Sequence, residues 1–150
     1  MSAAVTFAAV GVGLYAAHRV ADHWVQTGHQ SLAKGQPGWS GRWACAKHVA
    51  TYTLTTAGTV ALLWVVLGLA ITPLGFLLGQ TISAVSHYWA DRRFTLARLC
   101  ERIGKGGFYR LGAPRAGRDD NPSLGTGAYA LDQSWHYGWL FVAALLTAVV

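Results

Sequence analysis

The sequence predicts an all-α fold, namely an integral membrane bundle of about four transmembrane helices with one short amphipathic helix at the membrane surface. Of its 150 residues, 53% are apolar and only 12% are charged, whereas soluble domains carry about 25% charged residues. The 18 glycines also suit membrane helices better than soluble ones. We expect a single membrane domain, residues 1–150, because helices of about 20 residues would fill roughly half of this length.

Four apolar segments set the predicted spans, at about 3–25, 44–71, 74–91 and 129–150. No Lys or Arg precedes Arg19, so we expect the first span to be retained rather than removed as a signal peptide. The polar residues 27–42, with Pro37 near their centre, predict a loop between the first two spans. Pro73 suits the first turn of the third span, because a proline lacks an N–H that would be unpaired there.

A basic loop, residues 92–128, separates the third and fourth spans. An apolar stripe within it recurs at i, i+3, i+4 and i+7, which predicts a short amphipathic helix lying on the membrane surface. The stripe consists of Leu96, Leu99, Cys100 and Ile103. An extension of the third span into solvent would explain the same pattern. Residues 112–127 are rich in Gly, Pro, Asp and Asn, so irregular structure is expected there.

The distribution of basic residues predicts the orientation of the spans. Lys and Arg are concentrated in residues 27–47 and 92–128, whereas the two termini and the turn at Thr72 contain none. The positive-inside rule then places both basic loops in the cytoplasm and both termini outside, in a multi-pass protein of the cytoplasmic (inner) membrane. The net charge of +6 therefore indicates contact with the lipid bilayer and its anionic headgroups rather than with nucleic acid. A homo-oligomer remains open.

His and Asp residues recur at the predicted cytoplasmic end of every span. The motifs are His18-x3-Asp22-x3-Gln26 at the end of the first span, His48 near the start of the second, His87-x3-Asp91 at the end of the third and Asp132-Gln133-x2-His136 at the start of the fourth. Residues four apart share one helix face, so each pair can hold one ion or orient a ligating imidazole. Ionisable side chains that face lipid are costly, so these stripes should face the bundle interior.

Together these residues predict a site for a divalent metal ion of the zinc or manganese/magnesium type. The candidate ligands are His18, Asp22, His48, His87, Asp91, Asp132 and His136. This set exceeds what one zinc ion needs, so it would suit one hydrated ion with outer partners, or two ions bridged by a carboxylate. The candidate catalytic carboxylates are Asp22, Asp91 and Asp132. The candidate supporting polar residues are Gln26, Lys34, Gln133 and Arg92.

Two other interpretations of these residues stay open. A hydrogen-bonded network that ties the helices together needs no metal, and a pathway for protons or ions would use the same residue types. Such a pathway requires polar residues that continue outward, and the sequence suggests only Gln80 and Ser83 for that role. Away from the stripes, His23 and His29 are expected to be interfacial or loop residues.

The ordered set of motifs resembles an uncharacterised family of small bacterial and phage multi-pass membrane proteins, a domain of unknown function. The resemblance covers nearly the whole chain and includes Lys34 downstream of the first motif. It implies a basic residue after Asp91, usually Lys, where this chain has Arg92. That family is distantly similar to membrane-bound metal-dependent hydrolases, and this analogy implies no substrate.

The leading hypothesis is a metal-dependent hydrolase at the cytoplasmic face of the membrane. A divalent ion would lower the pKa of a bound water and polarise the scissile group, while a remaining Asp or His acts as general base. Because the site opens at headgroup depth, the expected substrate is a phosphoester or acyl bond in a lipid or lipid-linked molecule. The alternative is a non-enzymatic phage or bacterial envelope or interaction factor with a structural His/Asp cluster. A proton or ion conductor is the third hypothesis.

Overall fold

The structure, a computed structural model, describes residues 2–118 and 125–150, and every regular element in these residues is helical. The all-α class predicted from the sequence is thereby confirmed. The helices are α1 (Ala3–Val20), which continues into a π-helical turn (Ala21–Val25), α2 (Gly28–Ala33), α3 (Gly38–Leu67), α4 (Pro73–Asp91), α5 (Phe94–Arg102), α6 (Gly106–Tyr109) and α7 (Thr126–Val149).

Local signals determine where the long helices start and stop. The Ser2 hydroxyl accepts a hydrogen bond from the Val5 amide and so caps α1. Thr72 caps α4 in the same way, and Pro73 occupies the first turn of that helix. Gly68 ends α3 with a φ of 59°, a left-handed conformation that glycine adopts without strain.

The four long helices α1, α3, α4 and α7 pack as a bundle, in which α4 lies against α7 and α1 contacts both α3 and α7. Gly79 sets the close approach of α4 to α7, because a Cβ atom at this position would overlap the hydroxyl of Thr147. The apolar core between the helices includes Val10, Leu14, Val60, Leu140, Ala143 and Ala144.

Many polar side chains are buried beside the apolar core, and many apolar side chains lie on the outer surface of the bundle. Its buried polar residues include Thr6, His18, His48, Thr56, Gln80, Ser83, His87, Asp91 and Thr147. Large apolar side chains point outward instead, with exposed fractions of 72% for Val12, 74% for Leu54 and 82% for Val65. Within the described residues, two helices are long and apolar enough to cross a membrane, namely α1 with its π turn (Ala3–Val25) and α3.

The segment between the first two long helices is more ordered than the sequence suggests. Residues 27–42, predicted as a loop, contain α2 and the start of α3, which begins at Gly38 instead of near residue 44. Thr27 and Gln30 form a capping box at the start of α2, in which each side chain binds the backbone amide of the other residue. This Thr-x-x-Gln pattern is a known helix-start signal. The loop was predicted instead because Pro37 lies near the centre of the segment.

Short helices also occupy the segment that follows α4. The predicted amphipathic helix corresponds to α5, in which Leu96 and Cys100 of the stripe are buried, whereas Ile103 beyond its end is 61% exposed. The basic loop 92–128 thus contains α5 and α6. Within the stretch 112–127 predicted to be irregular, residues 112–118 contain no helix, and residues 119–124 lie outside the described part of the chain.

Candidate metal centre

A π-helical turn at the end of α1 carries the first carboxylate of the site. A hydrogen bond of 2.9 Å from the Gln26 amide to the Ala21 carbonyl closes this wider turn. Asp22 lies within the turn, and its Oδ2 is 3.6 Å from Nδ1 of the fully buried His18. Single π turns inside α-helices are frequent at functional sites.

Two histidines and two aspartates each bring one atom to a common point. His48 Nε2, from α3, lies 3.0 Å from His87 Nε2, from α4. Asp22 Oδ1 lies 3.4 Å from the His48 nitrogen and 3.5 Å from the His87 nitrogen. Asp91 Oδ2 lies 3.2 Å and 3.1 Å from the same two nitrogens. We call these four side chains the tetrahedral cluster.

The five distances given above for the tetrahedral cluster are close to the edge length of a tetrahedral metal site. Zinc lies about 2.0–2.1 Å from nitrogen and oxygen ligands, which corresponds to ligand–ligand separations of roughly 3.3–3.4 Å. Every distance in the cluster that involves an imidazole nitrogen falls between 3.0 and 3.5 Å. His48, His87 and Asp91 therefore lie close enough together to hold one divalent ion, and Asp22 Oδ1 lies within 3.5 Å of both imidazole nitrogens.

The carboxylates of the cluster lack the hydrogen bonds that buried charges require. Asp91 is only 2% exposed, and neither its Oδ2 nor Asp22 Oδ1 has a hydrogen-bond partner within the described residues. Burying an ionised oxygen without a partner is unfavourable, and a cation between the two carboxylates would remove that cost. The Nδ1 atoms of His48 and His87 are also buried without an acceptor in this part of the chain. The cluster thus lacks the outer hydrogen bonds that usually orient metal-bound imidazoles.

A second group of ligands adjoins the cluster through Asp91. His136 Nε2 lies 3.5 Å from Asp132 Oδ1 and 3.9 Å from Asp91 Oδ1. The ammonium group of Lys34, which is buried, lies 2.8 Å from the same Asp91 oxygen. Lys34 therefore already supplies the positive charge that a second, bridged ion would bring. This arrangement favours one ion over a bridged pair.

His18 packs against the other histidine rings of the site. Its ring centroid lies 5.0 Å from that of His136 and 5.6 Å from that of His87. Both of its ring nitrogens lack a hydrogen-bond partner among the described residues. All seven predicted ligands belong to three overlapping groups that could each hold a metal ion: His18, Asp22 and His87; His48, His87 and Asp91; Asp91, Asp132 and His136.

A pocket of about 200 Å³ leads from the surface to these ligands. Its lining includes the carboxylates of Asp22, Asp91 and Asp132 and the cationic side chains of Lys34 and Arg93. All three predicted catalytic carboxylates are therefore accessible from one opening, and two positive charges accompany them.

Two predicted supporting residues, Gln26 and Gln133, also line the pocket. Gln26 Nε2 is buried and has no hydrogen-bond partner among the described residues. Gln133 accepts hydrogen bonds from Arg19 and Tyr137 and donates one to Asp132 at 3.2 Å. Gln133 thus orients the outermost carboxylate of the pocket.

Arg92 and Arg93 have different places beside the site, and only Arg92 was predicted to support it. Arg92, expected to support the site, is buried and donates to the backbone carbonyls of Lys34 at 3.0 Å and Gln36 at 2.7 Å. It therefore joins the end of α4 to the connection between α2 and α3. Arg93, which sequence reasoning missed, lines the pocket and donates to the Ser31 carbonyl at 2.9 Å. Its φ of 53° is unusual for a residue other than glycine and turns the chain between α4 and α5.

Two tyrosines, Tyr109 and Tyr129, also line the pocket without having been predicted. Burial, together with a smaller effect of the Asp132 carboxylate, raises the pKa of the Tyr109 phenol. Tyr109 therefore keeps its proton and remains a hydrogen-bond donor. His23 and His29 are both exposed, and His23 reaches the rim of the pocket.

No protein-family model matches this chain, and comparison with curated proteins and with solved structures found no significant similarity. The resemblance to small bacterial and phage membrane proteins therefore stays a prediction. Any proposal of function has to rest on the geometry of the site.

Proposed function

We propose that the protein is a membrane-embedded, metal-dependent hydrolase that binds one divalent ion in the tetrahedral cluster and acts on a lipid or lipid-linked substrate. The observation that carries this proposal is the set of distances of 3.0–3.5 Å around two imidazole nitrogens and two carboxylate oxygens. Zinc is the first candidate, because it prefers this ligand number, geometry and mixture of nitrogen and oxygen. Magnesium and manganese favour sites with more oxygen ligands.

The surface of the bundle supports a location in the bilayer. Soluble proteins rarely expose contiguous apolar patches larger than a few hundred Å², whereas exposed valines and leucines recur on the outer faces of all four long helices. Trp24, Trp39 and Trp43 are exposed near the cluster, as expected for an aromatic belt at a membrane interface. We therefore treat α1, α3, α4 and α7 as four spans, with the site on the cytoplasmic side and both termini outside.

Asp132 is the best candidate for the general base in this pocket. Its side chain is 20% exposed, against 10% for Asp22 and 3% for Asp91, so it can meet a water molecule or substrate. His136 lies 3.5 Å from it and can share its proton. With the four ligands of the cluster in place, a bound zinc ion would have to accept a fifth ligand to take up a water molecule; it would then lower the pKa of that water and polarise the scissile group.

The charge of the pocket favours an anionic substrate group. Lys34 and Arg93 offset two of the three carboxylates, and a divalent ion would leave the pocket with one net positive charge. A phosphoester matches this charge better than a neutral acyl ester does. The Tyr109 phenol adds a neutral hydrogen-bond donor at the same opening.

Metal analysis of the detergent-purified protein tests this proposal. We expect about one zinc ion per chain in the wild type and its loss in His87→Ala, because His87 belongs to the cluster. The matched control is His23→Ala, which removes an exposed histidine outside the cluster. Release of water-soluble phosphate products from vesicles of bacterial phospholipid should likewise require His87. Equal zinc content in the two variants, or hydrolysis that persists without His87, would contradict the proposal.

A polar column below the cluster supports a second candidate function, a proton pathway. The hydroxyls of Tyr52 and Ser83 lie 2.7 Å apart, and Thr56 donates to Gln80 at 2.9 Å. The expectation that only Gln80 and Ser83 extend the polar path was therefore incomplete. The hydroxyls of Tyr52 and Thr56, both from α3, pair with Ser83 and Gln80 and belong to the same path. The Tyr52 ring also stacks on His87, with centroids 3.9 Å apart, and so connects the column to the cluster.

A further inference from the structure

A groove of about 200 Å³ separates α1 from α7 on the outer surface of the bundle. It is lined by Phe7, Gly11, Tyr15, Tyr137, Leu140 and Phe141. Phe7 and Phe141 meet edge to face with ring centroids 5.3 Å apart, and Gly11 contributes no side chain between the aromatic rings. The result is an apolar channel along the helices that is open to the side.

Arg19 lies at one end of this groove. Its Nη1 donates to the hydroxyls of Tyr129 and Tyr137 at 3.3 Å each, and to Gln133 Oε1 at 3.2 Å. No carboxylate within residues 2–118 and 125–150 pairs with this guanidinium, and its Nε and Nη2 groups make no hydrogen bond to those residues. Three neutral acceptors thus orient the cation without neutralising it.

We propose that the groove binds one acyl chain of a phospholipid whose phosphate is held by Arg19. Guanidinium groups bind phosphate oxygens through two parallel N–H donors, and Nε and Nη2 form such a pair. The apolar lining replaces the contacts that the chain would otherwise make with neighbouring lipids. The groove and Arg19 together therefore offer an apolar surface for the acyl chain and a cation for the phosphate.

The dimensions of the groove agree with one leaflet of a bilayer. The stretch from Phe7 to Arg19 covers roughly 18 Å of helix at about 1.5 Å per residue. Half of a hydrocarbon core measures about 15 Å. With Arg19 at headgroup depth, the apolar lining extends toward the middle of the membrane. Arg19 and the lining would therefore meet the phosphate and the acyl chain of a phospholipid at their usual depths.

Arg19 connects the groove to the pocket of the proposed metal centre, because it binds Tyr137 of the groove as well as residues of the pocket. Tyr129 and Gln133 both bind Arg19 and line that pocket. A phosphate on Arg19 would therefore lie at the edge of the pocket, with its headgroup directed inward. If the proposed function holds, on which this step rests, the substrate class is a glycerophospholipid cleaved on the headgroup side.

Charge favours a lipid over a second copy of this chain as the occupant. Two copies that packed symmetrically along the groove would bring a second Arg19 to the same depth, and like charges would repel. An anionic phospholipid brings the opposite charge instead.

Two leucine substitutions form a matched pair for testing the groove. A Cβ atom on Gly11 would meet the Cβ of Ala144 at 3.8 Å, an ordinary contact, so Gly11→Leu should fill the groove without moving the helices. A Cβ atom on Gly58 of α3 would meet nothing within 4 Å, so Gly58→Leu adds the same side chain away from the groove. Arg19→Gln removes the charge, and Arg19→Lys keeps it.

Native mass spectrometry of protein released from detergent micelles that contain phosphatidylglycerol measures the lipid retained. The wild type and Gly58→Leu should each retain one lipid. Gly11→Leu and Arg19→Gln should weaken retention roughly tenfold, with Arg19→Lys in between. Equal retention in the two leucine variants would overturn the proposal. A change from dimer to monomer in Gly11→Leu with no lipid bound to either form would also overturn it.

Zinc content measured on the same samples separates this inference from the proposed function. Gly11→Leu and Arg19→Gln leave the tetrahedral cluster intact, so both should keep their zinc. Zinc without retained lipid in the wild type would overturn the lipid site alone. Retained lipid without zinc would leave the lipid site standing and overturn the metal-dependent hydrolase.

Discussion

Two layers of buried polar residues differ in how many of their atoms have a hydrogen-bond partner. The lower layer consists of neutral pairs, Tyr52 with Ser83 and Thr56 with Gln80, joined by hydrogen bonds of 2.7 and 2.9 Å. The upper layer is the candidate metal centre, where several buried atoms have no hydrogen-bond partner among the described residues. These atoms are His18 Nδ1 and Nε2, Asp22 Oδ1, His48 Nδ1, His87 Nδ1, Asp91 Oδ2 and His136 Nε2.

The difference separates a structural network from a binding site. Helices that only need to be joined can use neutral pairs such as those of the lower layer, in which Gln80 Nε2 is the one atom left without a partner within residues 2–118 and 125–150. In the upper layer, Asp22 Oδ1 and Asp91 Oδ2 have no hydrogen-bond partner among the described residues, although Lys34 pairs with the other oxygen of Asp91. The cation that we propose between the two carboxylates would supply the partner that these two oxygens lack.

The largest effect in either layer is expected from Asp91→Ala. The substitution removes a ligand and leaves the buried Lys34 ammonium without its carboxylate, and breaking a buried ion pair costs about 3–5 kcal/mol. Thermal unfolding in detergent should therefore show a large loss of stability together with loss of zinc. Asp132→Ala, which keeps the pair between Lys34 and Asp91, should cost much less. Similar losses in both variants would argue that Asp91 has no special place in the centre.

Asp22→Asn should have effects of opposite sign with and without metal. The amide preserves the shape of the side chain but weakens zinc binding by roughly tenfold or more, since even outer partners of metal ligands contribute 10–100-fold. With a chelator, the loss of a largely buried carboxylate whose Oδ1 makes no hydrogen bond within the described residues should raise the melting temperature above that of the wild type. Melting curves with zinc chloride and with EDTA check this. A lower melting temperature in both conditions would favour a metal-free structural network.

The smallest effect is expected in the lower layer, from Gln80→Leu. The Thr56 hydroxyl also donates to the Thr53 carbonyl at 3.1 Å, so it keeps a partner when Gln80 is replaced. The stability should change by no more than about 0.5 kcal/mol. The same variant tests the proton pathway, because it interrupts the polar column. Faster proton flux into liposomes with the wild type than with Gln80→Leu would support the pathway. Equal flux with the two proteins would rule the pathway out.

Sequence reasoning was most informative where helical spacing alone sets the geometry. His87 and Asp91, four residues apart on α4, approach to 3.1 Å, and Asp132 and His136 on α7 approach to 3.5 Å. Their positions at the ends of long apolar segments also indicated that different helices would present them at one depth. These features follow from periodicity and burial, which a single sequence contains.

The remaining features of the site depend on local backbone geometry that spacing does not reveal. Lys34 reaches Asp91 because α2 forms within a segment that proline and glycine made look irregular. Consecutive arginines, Arg92 and Arg93, look equivalent in the sequence, and the left-handed turn at Arg93 decides which of them lines the pocket. The rotation of each helix about its axis, which selects His48 and not His18 for the tetrahedral cluster, is likewise a result of packing.

The π turn at Ala21–Val25 has an evolutionary consequence. A π turn amounts to one residue inserted into an α-helix, so the residues after it are out of register with those before it by about 100°. Asp22, at the start of the turn, still lies on the face of α1 that carries Leu14 and His18, and it contacts His18. Gln26, which closes the turn and lines the pocket, follows the shift. Gain or loss of a single codon in this turn would therefore redirect a pocket residue while leaving Asp22 and the apolar core unchanged.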